Sequence, residues 1–125
     1  MKVLLDTSFV ISCVRKKIDF LSQLEEQGFE VVLPVEILQE LKGVRENPKE
    51  SRMDRDAVNV ALEMFEKSKI KKMSLGRRMN EERVDDALIR KGNEGYYIAT
   101  LDNEIKRAVP QKIIIFNAKK SVGVE

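Results

Sequence analysis

Apolar residues follow two alternating rhythms along the chain. Val3 to Leu5 is a short unbroken apolar run, Thr7 to Arg15 carries apolar residues at helical spacing, and Asp19 caps a second helical stretch that Gly28 ends. Val31 to Leu33 is the next strand, and Pro34 takes a first-turn position in a helix that runs to about Val44. After the loop-like stretch Glu46 to Ser51, residues Asp54 to Ser68 form an amphipathic helix with Val58, Ala61, Leu62 and Phe65 on one side. Ile70 to Leu75 is the weakest strand, Glu82 to about Lys91 a helix, and Tyr96 to Leu101 a β-branched and aromatic strand. A short helix from Asn103 to Ala108 stops before Pro110, and Ile113 to Phe116 is the last strand. This alternation predicts an α/β fold whose parallel sheet, of about five strands, is covered by helices on both faces.

Open sheets of this kind bind ligands beyond the carboxyl ends of their strands, where the winding reverses. Two acids stand at such ends: Asp6 directly after the first strand and Asp102 after the strand ending at Leu101. If those strands are neighbours, two carboxylates meet at one edge. Glu40 lies two turns into the helix after the second strand, about 9 Å along its axis. Its apolar neighbours Ile37, Leu38, Leu41 and Val44 put it on the border of the buried face, and Asp85 and Asp86 flank Val84, Ala87 and Leu88 in the same manner. Taken singly, each acid has a plain explanation: Asp6 and Asp102 as helix N-caps, Glu40, Asp85 and Asp86 as solvated flank charges, Glu104 as a first-turn acid.

Composition narrows the chemistry. With no histidine and one cysteine among 125 residues, histidine bases, zinc fingers and an internal disulfide framework are excluded. Cys13, set among Val10, Ile11 and Val14, reads as a small buried hydrophobe. Several acids sharing one crevice repel one another unless a cation sits between them, and oxygen-only ligands suit a hard ion, Mg²⁺ or Mn²⁺. Such an ion activates water for phosphodiester hydrolysis.

Charge is balanced in sum, 23 Lys and Arg against 21 Asp and Glu, but segregated in place. Lys67, Lys69, Lys71, Lys72, Arg77 and Arg78 are followed by Glu81, Glu82, Asp85 and Asp86. Lys71, Lys72, Arg77 and Arg78 are candidate phosphate contacts, whereas Arg15, Lys16 and Lys17 are explained equally well as cations at a helix C-terminus. Few aromatic residues are available for stacking on bases. The length suits one domain over residues 1–125, and no apolar run approaches the ~20 residues of a membrane span. A soluble, cytoplasmic protein is expected.

The strings LLDTS at Leu4 to Ser8, PVEILQEL at Pro34 to Leu41, DDALI at Asp85 to Ile89 and ATLDNEI at Ala99 to Ile105 resemble, in their order and spacing, the PIN domain, a compact α/β nuclease family. The resemblance implies a three-layer α/β/α fold with strand order 3-2-1-4-5. It also implies a catalytic, metal-binding set of Asp6, Glu40, Asp86 and Asp102, supported by Ser8 and Thr100. Asp85 duplicates the third acid, with the DALI register favouring Asp86, and Asp85 and Glu104 are further candidate ligands. DDALIRKG and IATLDNEIKRAV look closer to single-domain proteins similar to nucleases of precursor ribosomal RNA than to toxin nucleases. The expected function is a metal-dependent endoribonuclease with RNA as partner. The alternatives are a toxin nuclease held by an antitoxin and a non-catalytic RNA-binding or assembly module. A homodimer and a protein partner, either a ribosome-assembly factor or an antitoxin, are open expectations.

Overall fold

A computed structural model describes residues 1–76 and 81–125. Its centre is a six-stranded sheet in the order β3-β2-β1-β4-β5-β6, built from β1 (Lys2–Leu5), β2 (Glu30–Pro34), β3 (Lys71–Met73), β4 (Tyr97–Ala99), β5 (Lys112–Phe116) and β6 (Ser121–Val124). All neighbours are parallel except β5 and β6. The expected five-strand order is present, and β6 extends it. Gly123 and a length of four residues leave β6 without a strand signature, and its placement comes from tertiary partners. It pairs with β5, and two glutamines close its far side: Val122 N–H donates to Gln23 Oε1 at 2.8 Å, and Gln27 Nε2 donates to the Val122 carbonyl at 2.9 Å. The two amide side chains satisfy backbone groups that an edge strand would otherwise leave open.

Among the described residues, six α-helices flank the sheet: α1 (Thr7–Arg15), α2 (Phe20–Glu26), α3 (Val35–Glu46), α4 (Arg52–Ser68), α5 (Val84–Asn93) and α6 (Asn103–Ala108). Right-handed crossovers from β1 to β2 to β3 put α1, α3 and α4 together on one face, and the reversal of winding puts α5 and α6 together on the other. Beneath the first layer, Phe9, Phe20 and Phe65 meet edge to face at centroid spacings of 5.9 and 6.2 Å. Cys13 is buried beside them, its thiol pushed up to about 12 by burial, as a packing residue should be.

Local chemistry sets the element ends. Pro34 closes β2 and stands just before α3, instead of inside the first turn. α4 starts at Arg52, before the expected Asp54, because Ser51 caps it by accepting the Asp54 N–H at 3.1 Å. Gly92 lets α5 approach the sheet: a Cβ there would stand 2.5 Å from Val109 Cγ1 and 3.2 Å from Ile98 Cγ1. Among the described residues, no helix is long and apolar enough to cross a membrane.

Candidate functional site

β1 and β4 are hydrogen-bonded neighbours at the point where the winding reverses. Their register pairs Leu5 with Ala99, so the next residues, Asp6 and Thr100, leave the sheet side by side. Asp6 N–H donates to the Ala99 carbonyl at 3.0 Å. Both Asp6 and Thr100 are buried, unusual for polar side chains and sustained by the bond between them: Thr100 Oγ1 donates to Asp6 Oδ2 at 2.7 Å. The same hydroxyl accepts the Asp102 N–H at 3.0 Å. Ser8 Oγ lies 3.4 Å from Asp6 Oδ2 as donor and 3.4 Å from Leu101 N as acceptor, joining the start of α1 to the end of β4.

Each strand-end aspartate also caps the helix that follows it. Asp6 Oδ1 accepts the Thr7 N–H at 2.8 Å, and Asp102 Oδ1 accepts the N–H groups of Glu104 and Ile105 at 2.8 and 3.4 Å. The capping and site readings of these acids are therefore compatible: Asp102 Oδ2 accepts no hydrogen bond from the described residues, and Asp102 lines an open cleft with Asp6, Thr7, Ser8, Asp85 and Leu101.

Placement separates the remaining acids. Successive residues on a helix point about 100° apart. On α5 that rotation turns Asp85 into the cleft and leaves Asp86 exposed, off its lining, where the string register had favoured Asp86. Glu40 is exposed and joins the rim through Thr7, whose Oγ1 donates to Glu40 Oε1 at 2.6 Å. Glu104 is an exposed first-turn acid of α6 that contributes its backbone N–H to the Asp102 cap.

The electrostatics report crowding of like charge. Burial pushes the Asp6 carboxyl above its usual range, the hydrogen bonds from Thr100 and Thr7 oppose the rise, and the charges of Asp85 and Glu40 add to it. As they stand, no three acids among the described residues are arranged to hold a metal ion. The donor set still fits a hard cation by chemistry and by charge, since it is all oxygen and the Asp6 carboxyl is destabilised as an anion by burial first and by its acidic neighbours second.

Of the expected basic contacts, Lys71 and Lys72 do not share a face. Lys71 and Lys72 are successive residues of an edge strand and face opposite sides of the sheet. Lys71 pairs with Glu30 at 2.9 Å, while Lys72 lines a groove with Lys42 and Arg45 of α3. Their strand is two strands from β1, about 10 Å away. Arg77 and Arg78 lie outside the described residues.

Two further residues shape the site without having stood out in the sequence. Thr7, within LLDTS itself, orients Glu40. Arg90 clamps the approach to α5: its Nη2 donates to the carbonyls of Leu75 and Gly76 at 3.0 and 3.1 Å and to Glu82 Oε1 at 2.9 Å, and its Nε donates to Glu82 Oε2 at 3.1 Å. The spacing of eight between Glu82 and Arg90 matches no short helical pair, so only the tertiary structure reveals it.

A parallel core sheet wound outward from a central β1–β4 pair, with carboxylates gathered at its carboxyl edge, defines an α/β domain built around an acidic switch-point cleft. A family model described as PIN domain matches residues 3–114, and the chain belongs to the PIN domain family. Among curated proteins no relative matches the sequence. Among solved structures, that of the PIN domain endonuclease Utp24 superposes with a TM-score of 0.74 at 17% identity, covering 99% of this chain and 90% of that one. At that identity the likeness is one of fold.

Proposed function

We propose that the protein is a metal-dependent endoribonuclease that hydrolyses RNA phosphodiester bonds at the Asp6 cleft. The observation that carries this reading is the joint lining of one cleft by Asp6, Asp85 and Asp102 at the β1–β4 switch point. Family membership and a fold shared with a PIN domain endonuclease support the reaction class. Asp6, Asp85 and Asp102 are the residues that would hold Mg²⁺ or Mn²⁺. The bound ion supplies an acidified water and neutralises charge on the leaving oxygen. Thr100 and Ser8 fix the orientation of Asp6, and Thr7 holds Glu40 at the rim, from which Glu40 would orient the attacking water. Ribosomal RNA precursors are the substrate class favoured by the DDALIRKG and IATLDNEIKRAV strings.

Cleavage of RNA in Mn²⁺ by wild type, Asp6→Asn and Asp102→Asn is the test. Loss of cutting in both variants, with folding retained, is expected. Wild-type rates in both would overturn the site, and absence of Mn²⁺ uptake by the wild type would favour a non-catalytic RNA-binding module. Sequencing of RNA crosslinked in cells to Asp6→Asn would test the precursor assignment.

A further inference from the structure

Ser8 belongs to two concavities. It lines the acidic cleft, and it also opens a groove that runs along the outer stripe of α1 through Ile11, Ser12, Arg15 and Lys16, walled by Met53 and Asp54 at the start of α4. From Ser8 to Arg15 the stripe advances about 10 Å, the length of about three stacked nucleotides of one strand. Its start is small and hydroxyl-bearing, and its end is cationic. No aromatic ring lines it.

We propose that this groove is the track for the phosphate backbone of RNA leaving the cleavage centre, with Arg15 and Lys16 as its phosphate contacts. The inference rests on the nuclease reading and adds the path of the substrate over this chain. Three observations support it. The groove is continuous with the cleft through Ser8. Its cations stand beyond the acids, so a polyanion that places one phosphate among the acids meets opposite charge at the next positions. The groove also offers the hydroxyls of Ser8 and Ser12 and the charges of Arg15 and Lys16 to a backbone, beside the apolar Ile11 and Met53, and no aromatic ring to bases.

Present partners leave both cations available. Arg15 Nη1 holds Asp54 at 3.0 Å and its Nη2 donates weakly to Met53 Sδ at 3.8 Å, but the Arg15 side chain is exposed at 43% and that of Asp54 half-buried at 28%, and pairs at the surface exchange readily. The Arg15 guanidinium presents five donors in a planar fork suited to phosphate. Lys16 donates one hydrogen bond to Asn117 Oδ1, leaving two N–H groups for other acceptors. The helix C-terminus explains a positive charge here but not the groove that joins it to the acids.

The test is fluorescence anisotropy of an unstructured, end-labelled RNA oligonucleotide in EDTA, titrated with wild type, Arg15→Gln/Lys16→Gln and Asp54→Asn across a potassium chloride series. Loss of two phosphate contacts should weaken binding about tenfold at low salt and flatten the log–log salt dependence by about 1.4, at ~0.7 per contact for a single strand. Asp54→Asn, which removes a negative wall and releases Arg15, should bind more tightly than wild type. Arg15→Lys should restore most of its share of the slope, and Lys16→Gln reads the track independently of α1–α4 packing, since among the described residues the Lys16 side chain is hydrogen-bonded only to the Asn117 amide. Wild-type affinity and slope in the double variant, alongside RNA cleavage by the wild type, would overturn the track and leave the nuclease reading standing. A wild type that neither binds nor cuts RNA would remove both.

Discussion

Thr100 and Asp6 stand 94 positions apart in sequence and share a 2.7 Å hydrogen bond in the core, where the Thr100 hydroxyl donates to the carboxylate and accepts from the backbone of Asp102. One buried hydroxyl thus sets two of the three cleft acids. Thr100→Val keeps the shape and removes both bonds. Unfolding titrations should show a loss of about 2 kcal/mol, since a hydrogen bond to a charged group is lost and a backbone N–H is left unpaired. Mn²⁺ affinity should fall about 10- to 100-fold, the usual cost of removing a group that orients a ligand. Thr100→Ser should recover most of both; a valine variant with wild-type affinity would show that Asp6 needs no support.

The raised proton affinity of Asp6 gives a pH dependence with a definite sign. The folded, metal-free protein holds this proton more tightly than the unfolded chain, where aspartate ionises near ~3.9. The contribution of the carboxyl to stability is therefore greatest below ~3.9 and is lost as pH climbs from there through the higher folded-state value. Asp6→Asn lacks this loss. Urea unfolding in EDTA should show the variant gaining on wild type across that window and holding a constant lead above it, and Mn²⁺ should then raise the melting temperature of wild type alone. A lead independent of pH would mean that the carboxyl is not under charge stress.

Asp85 and Asp86 offer a comparison within one helix turn. Asp85→Asn should abolish most Mn²⁺ uptake measured by calorimetry, whereas Asp86→Asn, exposed and off the cleft lining, should stay within a factor of two of wild type. The reverse pattern would restore the DALI register as the guide.

Arg90 is the structural staple of the α5 entrance. Arg90→Ala should cost about 1–3 kcal/mol in denaturant unfolding, because Glu82 and two carbonyls lose a charge-assisted partner together. Arg90→Lys keeps the charge without the planar fork and should recover less than half of that loss. Since α5 carries Asp85, both variants should also weaken Mn²⁺ binding, and unchanged metal affinity would separate the staple from the site.

Those residues also mark what a linear reading can reach. Asp6 and Asp102 were visible because each ends an apolar run and precedes a helix, a local signature that implies a place at the sheet edge. Thr100 and Ser8 came with the same strings. Between Asp85 and Asp86 the strings favoured Asp86, whereas the cleft is lined by Asp85: choosing between successive helical residues requires the helix phase to within 100°, which packing against β4 determines and Gly92 permits. Arg90 and β6 were invisible for a different reason: their partners, Glu82 and the amides of Gln23 and Gln27, lie outside any short repeat and meet them only in three dimensions. That Lys71 and Lys72 face opposite sides of the sheet follows from alternation along a strand, which shows only once Lys71 to Met73 is known to be extended.

The β1–β4 pairing carries a consequence in time. β1 and β4 are neighbours in the sheet although Asp6 and Thr100 stand 94 positions apart, so the Thr100–Asp6 bond and the cleft around it form only when a long-range closure brings the two strands together. A nascent chain holds Asp6 and Glu40 long before it holds Asp102. The cleft acids come together only after that closure, so a chain that stops short of Asp102 has the acids without the cleft.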